Sequence, residues 1–440
     1  MKVTLKQDVL LEAIKRGAFA ALSDEAQTDS STLSLIIKSV KIKAEKSKIT
    51  FESATALVSS SYVLTTVDEN TVKEEGDVMV AANELYEWVS RQGNCVVALV
   101  SKDLDEPETV NVGGATEAVT KAAIRKVGKL TLASKDSSKT GSKWSLDSYD
   151  SSQMPSVELG NLKTPLFVLP LEQLSDGIKN IGFVAMAKDS DHVFDTISFQ
   201  HRDKNMYMVT TDSARCALWN LPNADGITLE NSISSKQLET SGVKDSWKYN
   251  LLVPLKMLSD VCKLSSNAAP LEFYRDDAKN RIYLSQPGFL VRMATAGKEM
   301  TDKFPPLDLF LVKTYTDLCT VPKDVLASRL NTVSLVNKNA IMFDFETDQL
   351  TLYGISESGH SPCKANMSVG AVSEKFTKVW NVKHFLEILK AVNADNIKVL
   401  IPTVSKKTIK ILNPSQPNVS YYAMSIERSK YNLEDPSANS

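Results

Sequence analysis

Histidine and paired cysteine, on which most metal and acid–base sites are built, are scarce in this chain of 440 residues. Its four histidines (His192, His201, His360, His384) stand in no HxH or HExxH spacing, and none joins a cysteine pair. His360-Ser361-Pro362-Cys363 has a metal-like spacing but no second pair to complete it, which favours ordinary loop chemistry. Asp189-Ser190-Asp191 lacks the following glycine and distal glutamate of a calcium loop. No GxSxG elbow and no GxxxxGK(S/T) phosphate loop occurs, and Gly113-Gly114 opens into neither. The five cysteines (Cys95, Cys216, Cys262, Cys319, Cys363) are odd in number and unspaced, which argues against both a disulfide framework and a zinc site. No run approaches the ~20 apolar residues of a membrane helix. The opening MKVTLKQDVLLEAIKRG reads as a strand and an amphipathic helix without an apolar signal core, so a cytosolic protein is expected. No catalytic residue, metal site or cofactor is expected. A formal charge of −2 leaves nucleic-acid binding to the distribution of charge, not its sum.

What is present is a repeated element. Val253-Pro254 opens LKMLSDVCK, and Asn381 opens VKHFLEILK. Superposed, Lys256 meets Lys383, Asp260 meets Glu387 and Lys263 meets Lys390, while Leu255, Leu258 and Cys262 fall on Val382, Phe385 and Leu389. Recurrence of this kind marks an array of similar units. The 3.6-residue apolar period predicts helices near Gln7–Arg16, Ala82–Gln92, Leu171–Asn180, Leu255–Leu264, Lys323–Asn331 and Val382–Val392. Leu169-Pro170, Val253-Pro254 and Val321-Pro322 each precede one of them, as suits a strand that ends where proline enters the first helical turn.

Between the helices lie short β-branched and aromatic runs separated by turns, including Leu33–Ile42, Ser59–Thr66, Cys95–Val100, Lys204–Thr210, Thr408–Leu412 and Ser420–Ile426. The cycle of helix and strands runs three times, an α+β class with helices on one face of antiparallel sheets. Domains are expected at 1–163, 164–313 and 314–428, with a disordered polar tail at 429–440. Within the first, residues 102–142 read as an insertion or long hairpin loop carrying a helix at Ala115–Lys126.

Two constellations can carry function. The first is a cationic edge on the helices, made of Lys15, Arg16, Arg91, Lys179, Lys256, Lys263, Arg329, Lys383 and Lys390. Lysines seven apart share a helix face opposite the apolar stripe. A solvated face with Asp260 and Glu387 as intrahelical partners is the plain reading. Pooled across packed helices, the same lysines would hold phosphates by charge without reading bases. The second is TTDSARCALWNLP (Thr210–Pro222), two strands joined by a tight polar turn from which Arg215 emerges beside Cys216, Leu218 and Trp219. Taken alone it is a hairpin with an exposed arginine.

That segment resembles the ATDGHR-type motif of the bacterial DNA polymerase III β subunit, the sliding clamp. The likeness continues in order through YNLLVPLKMLSDVCKL, GFLVRMATAGKEMTDKFPPLDLFL, VWNVKHFLEILKAV and NVSYYAMSIER, and in the first domain through DVMVAANELYEWVSR and KWSLDSYDSSQMPSVE. It implies the DNA clamp fold, three copies of one α+β domain per subunit, and a head-to-tail homodimer closing a ring around double-stranded DNA. Such a ring is a processivity factor without catalytic activity, and its partners are the polymerase catalytic subunit and the clamp loader. Carried over by motif, a peptide-binding pocket would use Thr211, Arg215, Cys216, Pro305, Phe310, Tyr422 and Met424. The subunit interface would use Trp144 and Leu146 on one side and Leu335 and Val336 on the other, with burial in the monomer's own core as the alternative reading of these apolar residues.

The chain departs from the family at several points. Lys188-Asp189-Ser190-Asp191-His192-Val193-Phe194 replaces a loop with paired tyrosines near the DNA, leaving Lys188 as its DNA contact. Ser213, Ala214 and Tyr422 stand where the family has small or different residues, and the insertion and tail exceed its pattern. Such divergence suits a phage-encoded or otherwise remote clamp. Rival readings are a monomeric DNA- or peptide-binding scaffold of clamp fold, and an α+β hydrolase using Cys216 or His192 near Arg215.

Overall fold

A computed structural model describes residues 1–24, 26, 34–66, 71–110, 124–135, 141–160, 162–185, 193–202, 205–221, 250–276, 278–294, 304–305, 314–355, 362–404 and 407–426. Among them the helices are α1 (Gln7–Gly17), α2 (Ala82–Ser90), α3 (Leu171–Ala185), α4 (Leu255–Leu264), α5 (Lys323–Ser334) and α6 (Val382–Ala391), with one further turn at Ser34–Ile37. Each of the six sequence-derived helices is thus found, with ends shifted by a few residues. The chain forms two compact units, one built from Met1–Leu171 and Asp260–Thr295, the other from Glu172–Ile227, Ser234–Ser259 and Ala296–Ser440.

The first unit holds a thirteen-stranded antiparallel sheet. Phe167–Leu169 and Thr71–Glu74 are its edges, and Phe289–Ala294 pairs with Val58–Thr65 in its interior. Alternation places Val3 and Leu5, Val40 and Ile42, Ile49 and Phe51, and Leu130 and Leu132 on the buried side. Helix α1 closes this core with Leu10, Ala13, Ile14 and Gly17. Asp8 in its first turn and Lys15 and Arg16 in its last complement the helix dipole. Gly17 is required, because a Cβ there would stand 2.7 Å from the Phe51 carbonyl oxygen. The Gly17 carbonyl in turn accepts from the Ser53 and Ser60 hydroxyls at 2.9 and 2.8 Å.

Two sequence expectations are corrected here. The Leu33–Ile42 strand begins only at Ser39, since the Lys38 amide donates to the Ser34 carbonyl at 2.9 Å and closes a helical turn first. The helix expected at Ala115–Lys126 gives way, over its described residues, to the strand Ile124–Lys135, which pairs with Val96–Val110 as one long hairpin. Charge favours that pairing: Lys126 faces Glu108 at 3.4 Å and Asp147 at 3.3 Å on the flanking strands.

The second unit contains an eight-stranded antiparallel sheet. Its strands run, in spatial order, Asn250–Pro254, Thr196–Arg202, Asn205–Thr211, Arg215–Leu221, Val419–Met424, Thr408–Leu412, Asn396–Pro402 and Tyr315–Pro322. A four-stranded sheet accompanies it, with α5 and α6 side by side. There Phe343 packs on Trp380 and Phe385, at ring-centroid distances of 5.1 and 4.8 Å. Helix α6 is capped by Asn381, whose side chain accepts from the His384 amide at 3.2 Å.

Candidate functional site

The site grows from the turn between Asn205–Thr211 and Arg215–Leu221. Asp212 Oδ1 accepts from the amides of Ala214 (3.1 Å) and Arg215 (2.8 Å), an Asx turn that fixes the reversal. Ser213 is forced to φ 74°, the left-handed conformation in which glycine is free of strain. The Thr211 hydroxyl donates to the Arg215 carbonyl at 2.7 Å and ties the two strand ends together.

Register then sorts the side chains into two faces, because directly paired residues share a face and their neighbours take the other. One row runs Thr211–Cys216–Tyr422–Lys410 across four strands. Met424, two residues beyond Tyr422, belongs to the same face and is 44% exposed. The other row runs Thr210–Ala217–Tyr421–Ile411 and faces the helices. There Thr210 Oγ1 donates to the Ile181 carbonyl of α3 at 2.7 Å, and Tyr421 OH donates to the Asn180 carbonyl at 3.2 Å.

The first face carries a compact apolar cluster of Val193, Val209, Cys216, Leu218, Leu252, Phe304 and Tyr422, with Phe194, Tyr207 and Tyr315 partly buried against it. Pro305 follows Phe304 and is half-buried. Lys410 lies over two of these rings, its Nζ 5.3 Å from the Tyr315 centroid and 5.6 Å from that of Tyr422. Burial holds the Lys410 ammonium below its ordinary pKa and pushes the Tyr315 hydroxyl up to about 12. It also raises the Cys216 thiol, with the nearby Asp212 charge adding to the effect, so Cys216 is a packed thiol and not a nucleophile.

Arg215 differs from its sequence reading. Strand alternation turns its side chain to the helix face, away from Cys216, Tyr422 and Met424, and only 4% of it is exposed. Its Nε donates to Asp212 Oδ2 at 2.7 Å, its Nη1 donates to Glu387 of α6, and its guanidinium lies 5.6 Å from the Phe183 ring of α3. Glu387 therefore serves Arg215, where the sequence offered it to Lys383 and Lys390. His384, one turn back on α6, is held below its ordinary pKa, chiefly by burial and then by the Arg215 charge.

Of the expected cationic positions, Lys15, Arg91, Lys179, Lys256, Lys263, Arg329, Lys383 and Lys390 are exposed. Arg91 pairs with Glu87 at 3.0 Å and Lys263 with Asp260 at 2.8 Å. Arg16 is half-buried: it pairs with Glu12 at 2.9 Å and lies 5.1 Å from the Tyr62 ring. Helices α1 and α2 pack together in one unit, and α5 and α6 in the other. Trp144 is 37% exposed and lines a 440 Å³ cleft with Trp88, Glu84, Glu87, Arg91 and Lys143. Leu146, expected at the surface interface, is instead 2% exposed in the core, while Leu335 is 82% exposed and Val336 half-buried. Lys188 and Phe310 lie outside the described residues. No group of metal-ligating side chains occurs among the described residues.

Lys410, Tyr315 and Phe304 were missed from the sequence. The signal for Lys410 was a lysine between isoleucines in Thr408–Leu412, which alternation assigns to the face of Tyr422.

No protein-family model matches the sequence, and no curated protein resembles it significantly. Solved structures do resemble the fold. The DNA polymerase III subunit beta from Pseudomonas aeruginosa aligns at a TM-score of 0.70 and 13% identity, covering 97% of this chain and 100% of that one. Caulobacter crescentus pol III beta gives 0.71 and 14% over the same shares. The DnaN sliding clamp from Bartonella birtlesii, bound to griselimycin, gives 0.69 and 14%, again over 97% and 100%. Over nearly its whole length, the chain has the fold of the DNA polymerase III beta sliding clamps.

Proposed function

We infer that the protein is a sliding clamp, a processivity factor that encircles duplex DNA without reading its sequence and tethers a polymerase. The observation that carries this is the full-length match, since a clamp is defined by its closed architecture and this chain spans 100% of the length of solved clamps. In this reading the chain carries three repeats (1–163, 164–313, 314–428), and two copies close head to tail. Lys15, Arg16, Arg91, Lys179, Lys188, Lys256, Lys263, Arg329, Lys383 and Lys390 supply the positive lining, and the carboxylates paired with Arg16, Arg91 and Lys263 temper it there. Weak, nonspecific phosphate contact suits sliding, because retention comes from topology. The exposed Trp144 and Leu335 are the apolar groups a partner subunit would cover.

The face bearing Thr211, Cys216, Tyr422 and Met424, with Pro305 and Phe310 from the loop, receives short peptides of the polymerase and the clamp loader. Arg215 acts there by holding the turn, not by touching the peptide. The chemistry is non-catalytic and the setting is the bacterial cytoplasm. The test is retention on nicked circular duplex under a high-salt wash, followed by native mass measurement of the bound species. A ring gives two chains per DNA and survives the wash. Loss in the wash, or a single chain, contradicts the reading.

A further inference from the structure

Like charges directly opposite each other on neighbouring strands repel, so a sheet keeps such a pair at a cost. In the first unit Lys102 of Val96–Val110 stands directly opposite Lys129 of Ile124–Lys135, and both are exposed. The pair belongs to a wider pattern. On these strands and on Lys2–Lys6, residues such as Leu5, Leu99 and Leu132 pack into the core with Leu10 of α1 and Leu85 of α2. Alternate residues therefore turn to the other side of the sheet, away from both helices. There Thr4, Ala98 and Ala133 share one row that ends at Lys143, and the next row pairs Val96, 36% exposed, with Lys135. These residues line an open cleft of 670 Å³ whose floor is small and aliphatic. Lys102 and Lys129 mark one end of the trough, Lys135 and Lys143 the other, and Lys2 flanks it. Among the described residues none of these five lysines makes an ion pair. The nearby carboxylates are Glu74, opposite Lys2, and Asp147, which Lys126 engages at 3.3 Å.

We propose that this helix-free side of the sheet is a docking surface for an extended peptide segment of another protein, acidic at both ends and small and aliphatic between. The trough sets the length: six residues of strand, about 20 Å, separate Lys102 from Val96, which a heptapeptide in extended form spans. Carboxylates at its two ends meet the two lysine pairs, and one of them relieves the repulsion between Lys102 and Lys129. The middle residues cover Val96, Ala98 and Ala133. A nucleic-acid strand fits less well. Its phosphates would use the lysines but leave the aliphatic floor uncovered, and the lining offers no ring on which a base could stack. The surface is separate from the helix cations and from the face of Tyr422, so it does not depend on the function proposed for either.

The probe is the acetylated, amidated peptide Glu-Glu-Val-Ala-Val-Glu-Glu. Its controls are the same peptide with Gln for every Glu, the same peptide with Ser-Gly-Ser at its centre, and a twelve-residue oligothymidylate. Binding to the full-length protein is read by fluorescence anisotropy at low ionic strength, where exposed charges are least screened. The Glu peptide should bind roughly tenfold tighter than its Gln counterpart. Lys102→Gln combined with Lys129→Gln should remove most of that preference, and Lys102→Arg with Lys129→Arg should keep it. Both double variants should keep the native mass of the wild type, and the Gln pair should melt no lower, because a repulsion has been removed. Equal binding of the Glu and Gln peptides, or a preference that survives the Gln pair, overturns the proposal. So does a Ser-Gly-Ser peptide or an oligothymidylate that binds as tightly as the probe, since the face would then be a general polyanion patch. Failure of the probe to bind overturns it outright.

Discussion

Replacing Arg215 by Met isolates the ion network behind the docking face. The arginine and Asp212 side chains are 4% and 5% exposed, so truncation leaves the Asp212 carboxylate buried without its cation. Glu387 is 31% exposed and can turn to water, so its share of the cost is small. Breaking a buried pair by removing one partner costs about 3–5 kcal/mol, and the lower end applies because two amides still solvate Asp212. About 3 kcal/mol is on the order of a hundredfold faster opening. Hydrogen exchange read by mass spectrometry should show that acceleration over Arg215–Leu221 and α6, with α1 and Lys2–Lys6 unchanged. Adding Asp212→Asn should recover most of the loss, since the amide oxygen still serves the turn and no charge is stranded. A change below about 1 kcal/mol, or no recovery in the double variant, refutes the account of Arg215 as the strut of this turn.

Three further outcomes follow from the same geometry. Ser213→Val should cost about 1 kcal/mol in local exchange, while Ser213→Gly should equal or exceed the wild type, because the φ of 74° suits glycine. His384 has a folded pKa below its ordinary 6.5, so the unfolded chain binds the proton first. Stability is therefore whole above about pH 6.5 and falls as pH drops through the folded value, and His384→Gln should flatten that fall. Alkylation with iodoacetamide should label the half-buried Cys95 and Cys363 first. Cys216, Cys262 and Cys319 should resist until unfolding, the last two having thiols pushed up to about 12 by burial.

The helices were legible because each is a short amphipathic unit whose stripe must meet a sheet: Leu10, Ala13 and Ile14 in α1, and Phe385, Ile388 and Leu389 in α6, repeat the same spacing. The Thr211–Arg215 turn was legible from its Asp and its small residues. The direction of Arg215 follows from strand alternation, against the usual exposure of arginine. What buried it, Glu387, lies 172 residues away and announces itself only as half of a lysine pair on its own helix. The helix expected at Ala115–Lys126, within the long hairpin, failed for a related reason. The outer part of the hairpin's arms is polar, and there Lys126 meets Glu108 across the hairpin and Asp147 on the next strand, a match that a local window cannot see. Trp144 and Leu146 look equivalent in sequence, yet the one is 37% exposed and the other is 2% exposed in the core.

The central claim is topological, and one measurement addresses it directly. The protein is threaded onto a linear duplex, both ends are capped with biotin–streptavidin, and unbound chains are removed in high salt. A single internal restriction cut is then made and the bound fraction followed. A closed clamp stays through the salt wash and leaves within the time of one-dimensional diffusion after the cut. A protein held by ordinary phosphate contacts would be lost in the wash, where charge-based affinity collapses, and would be indifferent to the cut. That second result would contradict the account.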